Sequence, residues 1–85
     1  INLDSIEKNF NKLKIENACI SQKDILVVFV NDKKNILRSK KILIKNFNLN
    51  KVSFNIKYIE EIPRLNNGKI NYSNIRDLND NIKFN

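Results

Sequence analysis

At 85 residues the chain has room for one domain with a core of marginal size, and 41% hydrophobic residues with one Gly and one Pro exclude a low-complexity, collagen-like or disordered chain. The absence of His and the single Cys exclude a Ser-His or Cys-His catalytic pair, a disulfide framework and a zinc site of ordinary spacing. The net charge of +7 raises the question of an anionic partner, but Asn, Ile and Lys make up 44 of the 85 residues and Lys outnumbers Arg by 13 to 3, so compositional bias accounts for much of the excess.

Leu3, Ile6, Phe10 and Leu13 recur at helical spacing, with Asn2 or Asp4 as candidate N-caps, so the chain opens on an amphipathic helix suited to covering a sheet. Ile15 to Ser21 alternates loosely, Gln22 to Asp24 is a polar turn, and Ile25 to Val30 is a continuous apolar run expected to be a central strand buried on both faces. Cys19 falls in the first of these strands, where a free thiol packs as a small hydrophobe. After a polar break at Asn31 to Asn35, a second helix is expected with Ile36, Leu37, Leu43, Ile44 and Phe47 on one side and lysines on the other. That helix lies in a stretch from Lys33 to Ile59 with no acidic residue. Taken alone, such a stretch suits nucleic acid or an anionic surface; a solvated helix face is the favoured explanation, and few aromatics accompany the lysines.

Val52, Phe54, Ile56 and Tyr58 alternate with polar residues, the clearest strand pattern in the chain. Glu60 and Glu61 end it, adjacent and so on opposite faces, which excludes a paired acid-base site on that strand. Pro63 stiffens the exit. Tyr72, Ile75, Leu78 and Ile82 then mark a final helix with Asn71 as N-cap, and residues 79–85 have little to bury and are expected to fray. The expected fold is a single α+β domain over 1–85, a three-stranded sheet flanked by helices, in the order helix, strand, strand, helix, strand, loop, helix. No run is long enough to span a membrane and no basic-plus-apolar leader opens the chain, so a cytoplasmic protein without a membrane partner is expected; the initial Ile suggests an excised or processed domain.

The chemistry concentrates in Tyr58 to Leu78, YIEEIPRLNNGKINYSNIRDL. Asn67 and Gly68 suit a tight turn between strand and helix, and Lys69 follows at once. A cation held there beside backbone N–H groups suits an oxyanion such as phosphate or carboxylate. Taken alone, the same residues are an ordinary turn followed by a solvated Lys. Arg64 is a candidate anion or interdomain contact, or else a surface charge.

Ile62, Pro63 and Arg64, then Asn67, Gly68, Lys69 and Ile70, with Tyr72 and Ile75 behind them, resemble the last core motif of the AMP-forming adenylating enzymes: acyl-CoA synthetases, nonribosomal peptide synthetase adenylation domains and luciferase relatives. Leu65 stands where that motif usually has Thr, and Asn71 and Tyr72 where it commonly has Asp and Arg. Ile1 to Val30 is similar to the helix and two strands that open the family's small C-terminal domain, so the resemblance covers nearly the whole chain.

It implies a lid domain of an ATP-dependent carboxylic acid ligase, inactive by itself. Lys69 would be the catalytic residue, with Asn67, Gly68 and Lys69 at the nucleotide. ATP is the implied cofactor, with Mg²⁺ held by a large N-terminal adenylation domain of the same polypeptide. The acyl acceptor would be coenzyme A or the phosphopantetheine of an acyl or peptidyl carrier protein. The resemblance also implies that the lid rotates between half-reactions, withdrawing the Lys69 loop for thioester formation. A small basic nucleic-acid-binding domain and a non-catalytic interaction module are the alternatives.

Overall fold

The computed structural model describes residues 2–82. Its elements run helix, strand, strand, helix, strand, helix, the expected α+β arrangement with one three-stranded sheet flanked by helices. Helix α1 (Leu3–Lys12) starts at Asn2, whose side chain accepts the Ser5 N–H at 3.1 Å. It stops where Lys14 enters the left-handed region at φ 64°. There the Ile15 N–H returns to the Phe10 carbonyl and the Lys14 N–H to that of Asn11, each at 3.0 Å, which satisfies the last helical acceptors.

Strands β1 (Asn17–Gln22) and β2 (Ile25–Val30) form an antiparallel hairpin closed by Lys23 and Asp24, both left-handed at φ 52° and 65°. Positive φ at both loop positions matches the twist of the flanking strands. From β2 the chain crosses through α2 (Asn35–Asn46) to β3 (Phe54–Tyr58), which pairs parallel to β2 and leaves the order β1-β2-β3.

The apolar run of β2 is buried on both faces because it divides two cores. Leu26, Val28 and Val30 pack with Ile6, Phe10 and Leu43 under α1 and α2. Val27 and Phe29 pack with Ile62 and Ile75 under α3 (Tyr72–Ile82). Burying a side chain such as Phe10, Phe29, Leu43 or Ile75 contributes roughly 1.5–3 kcal/mol, and all four are fully enclosed.

Three expectations need correction. Helix α2 buries Ser39, Ile42 and Leu43, whereas Leu37 is 62% and Ile44 38% exposed. Both lie roughly 100–120° round the axis from Leu43, off the seam that meets the sheet. The third strand starts at Phe54, because residues 51–53 form a 3-10 turn capped by Asn50 and leave Val52 exposed. Fraying from residue 79 does not hold for Asn79 to Ile82, which complete α3. Asn79 is buried: it accepts from the Lys57 ammonium at 2.7 Å and donates its amide to Gln22, tying α3 to β3 and β1. Residues 83–85 and the side chain of Ile82 lie outside the described set.

Among the described residues no helix is long and apolar enough to cross a membrane.

Candidate functional site

Beyond β3 the chain does not pass directly from strand to helix. Ile59 and Ile62 are buried and anchor the segment, after which Pro63 to Asn71 folds into a small antiparallel hairpin with Arg64 bridged to Ile70. The Asn71 N–H donates to the Pro63 carbonyl at 2.9 Å and the Leu65 N–H to the Lys69 carbonyl at 2.7 Å. The Gly68 N–H closes the turn on the Leu65 carbonyl at 2.9 Å. Gly68 itself has φ 87°, the glycine-bulge geometry of a short hairpin loop. Nothing lies within 4 Å of where a Cβ would stand, so conformation and not space demands glycine here.

The hairpin revises the expected oxyanion cradle. The Gly68 N–H is taken by Leu65, and the Lys69 N–H donates to the Asn67 side-chain oxygen at 3.0 Å. The first turn of α3 is capped in turn, the Asn71 side chain accepting the Asn74 N–H at 3.1 Å. Asn67 and Gly68 therefore build the loop, and the Lys69 side chain is left exposed beside it. Lys69 is exposed and makes no salt bridge among the described residues.

Arg64 points back on the hairpin. Its guanidinium donates to the Gly68 carbonyl at 2.9 Å and to the Glu16 carboxylate at 3.3 Å. Arg64 thus clamps the residue before Lys69 and joins the hairpin to the chain entering β1. The ion pair is about half exposed and worth little by itself, so its effect is mainly one of orientation.

At the first residue of α3, just past the hairpin, Tyr72 moors it to the body of the domain. Its hydroxyl donates to both oxygens of Glu7 at 2.8 Å, and Glu7 also accepts the Cys19 N–H at 2.8 Å. Burial, the hydrogen bond to Glu7 and the Glu7 charge push the Tyr72 phenol well above its usual range. Burial and then Glu7 push the Cys19 thiol up likewise, so Cys19 is a closed core residue. Tyr58 sits apart, with Lys33 5.1 Å above its ring. Glu60 and Glu61 are both exposed beyond the end of β3.

Sequence patterns did not single out Glu7 or Glu16. Glu7 borders the apolar stripe of α1, and an acid at that margin is the one signal that could have drawn attention to it. Among the described residues no three His, Cys, Asp or Glu side chains gather into a possible metal site. Compared with protein-family models, curated proteins and solved structures, the chain matches none.

Proposed function

We propose that this chain is the C-terminal lid of an ATP-dependent, AMP-forming carboxylic acid ligase, and that Lys69 is its contribution to the adenylation half-reaction. The observation that carries the reading is a hydrogen-bonded hairpin presenting an exposed ammonium that the domain's own described carboxylates do not neutralise. In adenylation a carboxylate oxygen attacks the α-phosphorus of ATP, the bond to the bridging oxygen breaks, and pyrophosphate leaves. Two anions must approach while negative charge builds on the phosphoryl oxygens. A Lys ammonium is a compact charge on a flexible stem that can reach from one domain into the cleft of another, where it acts by position and electrostatics without moving a proton.

A lone cation has nothing to stabilise unless ATP and the acid are held opposite it. The acyl pocket and the ligands of Mg²⁺ belong, in this reading, to the N-terminal adenylation domain, and coenzyme A or a carrier-protein phosphopantetheine takes the acyl group afterwards. The test is pyrophosphate release by the chain alone and in the presence of a complementing N-terminal adenylation domain. We expect no turnover from the chain alone and acid-dependent release from the pair. Turnover by the isolated chain, or a pair no faster than the N-terminal domain by itself, overturns the proposal.

A further inference from the structure

The second feature that departs from a closed domain is the free edge of β3. It lies at the other side of the sheet from β1, the strand that Glu16 and Arg64 tie to the hairpin. The Ile59 N–H donates to the Val30 carbonyl at 3.0 Å. The two-residue repeat of the strand carries that phase back, so Ile56 and Tyr58 turn their N–H and C=O groups away from β2. Among the described residues no strand lies against that edge.

The two sides of the edge differ. Toward α2 lies a groove of about 540 Å³, with Leu37, Ile44, Phe54 and Ile56 along it and Lys40, Lys41 and Lys51 at its rim. The exposed Leu37 and Ile44, which the packing of α2 leaves unused, form its far wall. On the α3 face of the sheet a smaller depression runs from Gln22 and Lys23 past Val27 of β2 to Asn55 and Lys57 of β3. Neither side is lined by an acidic residue.

We infer that this edge is a docking site for an extended acidic segment of another protein, which adds to the sheet as a fourth strand beside β3. Alternation along such a segment matches the two sides. Apolar side chains at every second position enter the groove between Leu37, Ile44 and Ile56, and carboxylates at the intervening positions lie on the face that carries Lys57. Acids at either end meet Lys40, Lys41 and Lys51. Main-chain hydrogen bonds supply affinity in this mode, and alternate side chains supply selectivity. Charge argues against a second copy of this chain as occupant, because pairing β3 with β3 would bring the two lysine rims together at a net +7 on each partner. It argues equally for an acidic partner, and the row of peptide donors and acceptors favours polypeptide over nucleic acid.

The experiment titrates the ¹⁵N-labelled chain with a synthetic peptide of about eight residues alternating Glu with Val or Leu. The expected result is saturable binding, with amide shifts confined to β3 and α2 and slowed hydrogen exchange at Ile56 and Tyr58. A peptide with Pro at its centre, which lacks a backbone donor, is expected to bind about tenfold more weakly or worse. Ile44→Glu and Lys40→Glu with Lys41→Glu, each on the exposed side of α2, should weaken binding to a similar degree, about tenfold, and keep the dispersed spectrum of the parent. The inference is overturned by shifts that map elsewhere, by equal binding of the Pro peptide, or by displacement of the peptide by an oligonucleotide that binds more tightly. Concentration-dependent dimerisation through β3 without peptide overturns it in favour of a second copy.

Discussion

The Tyr72 hydroxyl donates to the Glu7 carboxylate, 2.8 Å from each oxygen, and so joins the first helix to the last across 65 positions of sequence. The same carboxylate holds the Cys19 N–H, so one acid fastens α1, β1 and the start of α3. Tyr72 lies three residues after Lys69, so this clasp ties the C-terminal end of the hairpin to the body of the domain. Under the proposed lid function, such a mooring sets the direction in which the hairpin presents its cation.

That clasp predicts an alkaline loss of stability. The folded state raises the pKa of Tyr72, through burial and the hydrogen bond to Glu7, and of Cys19, through burial and the Glu7 charge. Folding therefore favours the protonated phenol and thiol. The stability they contribute is complete below their unfolded values, about 10 and 8.5, and is lost as pH climbs past them. The urea midpoint should hold steady through neutrality and fall above about pH 9. Tyr72→Phe should cost about 1–2 kcal/mol near neutral pH, because a half-buried hydrogen bond to a charged group is lost, and should flatten the alkaline decline. A decline equally steep in Tyr72→Phe would remove the phenol from this account.

Lys14 offers a gain in stability. It holds φ 64° just beyond α1, where a side chain is strained and glycine is at ease. Lys14→Gly should raise stability by about 0.5–1 kcal/mol, which thermal unfolding of a domain this size reads as a rise of several degrees. Lys14 is exposed and joins no salt bridge among the described residues, so removing its side chain should forfeit little.

Ser39 predicts a second gain from the opposite cause. Its hydroxyl is fully buried on the sheet-facing side of α2 without a hydrogen-bond partner. An orphaned buried hydroxyl costs about 1–3 kcal/mol, and Ala is the better helix former. Ser39→Ala should therefore raise the urea midpoint with an unchanged slope. A loss of stability on that substitution would mean that the hydroxyl finds a partner in solution.

How far the sequence revealed this arrangement depends on the range of the forces involved. The continuous run from Ile25 to Val30 could be read as a doubly buried strand, and Asn67 and Gly68 as a turn, because burial of a strand and the need for positive φ act within a few residues. The α2 stripe misled because apolar residues occur on more than one side of that helix, and only the position of β3 decides that Leu43 goes in and Leu37 stays out. Glu7 and Arg64 were illegible as fasteners. Their partners, Tyr72 and Glu16, lie 65 and 48 positions away, beyond any periodic pattern. The ordering of Asn79 was illegible for a related reason, since a polar side chain has little to bury until Lys57 and Gln22 are brought to it.

In the proposed ligase, with this chain joined to an N-terminal adenylation domain, Lys69 and its two supports should separate. Lys69→Ala removes an exposed side chain that contributes no hydrogen bond to the hairpin among the described residues, so unfolding should be unchanged. Acyl-adenylate formation should fall on the order of 10²–10³-fold, the usual loss when one positioned group at developing charge is deleted. Thioester formation from preformed adenylate should stay close to the parent rate, because the lid reading withdraws the hairpin for that step. Gly68→Ala and Arg64→Ala should act by another route, the first forcing a side chain into positive φ and the second releasing the Gly68 carbonyl. Both should loosen the hairpin and slow adenylation while keeping the ammonium, with some loss of stability in the glycine variant. Half-reaction rates for the three variants are the measurement. Equal loss in both half-reactions for Lys69→Ala would place the cation elsewhere than at the phosphoryl group, and a drop in stability there would make it a structural residue.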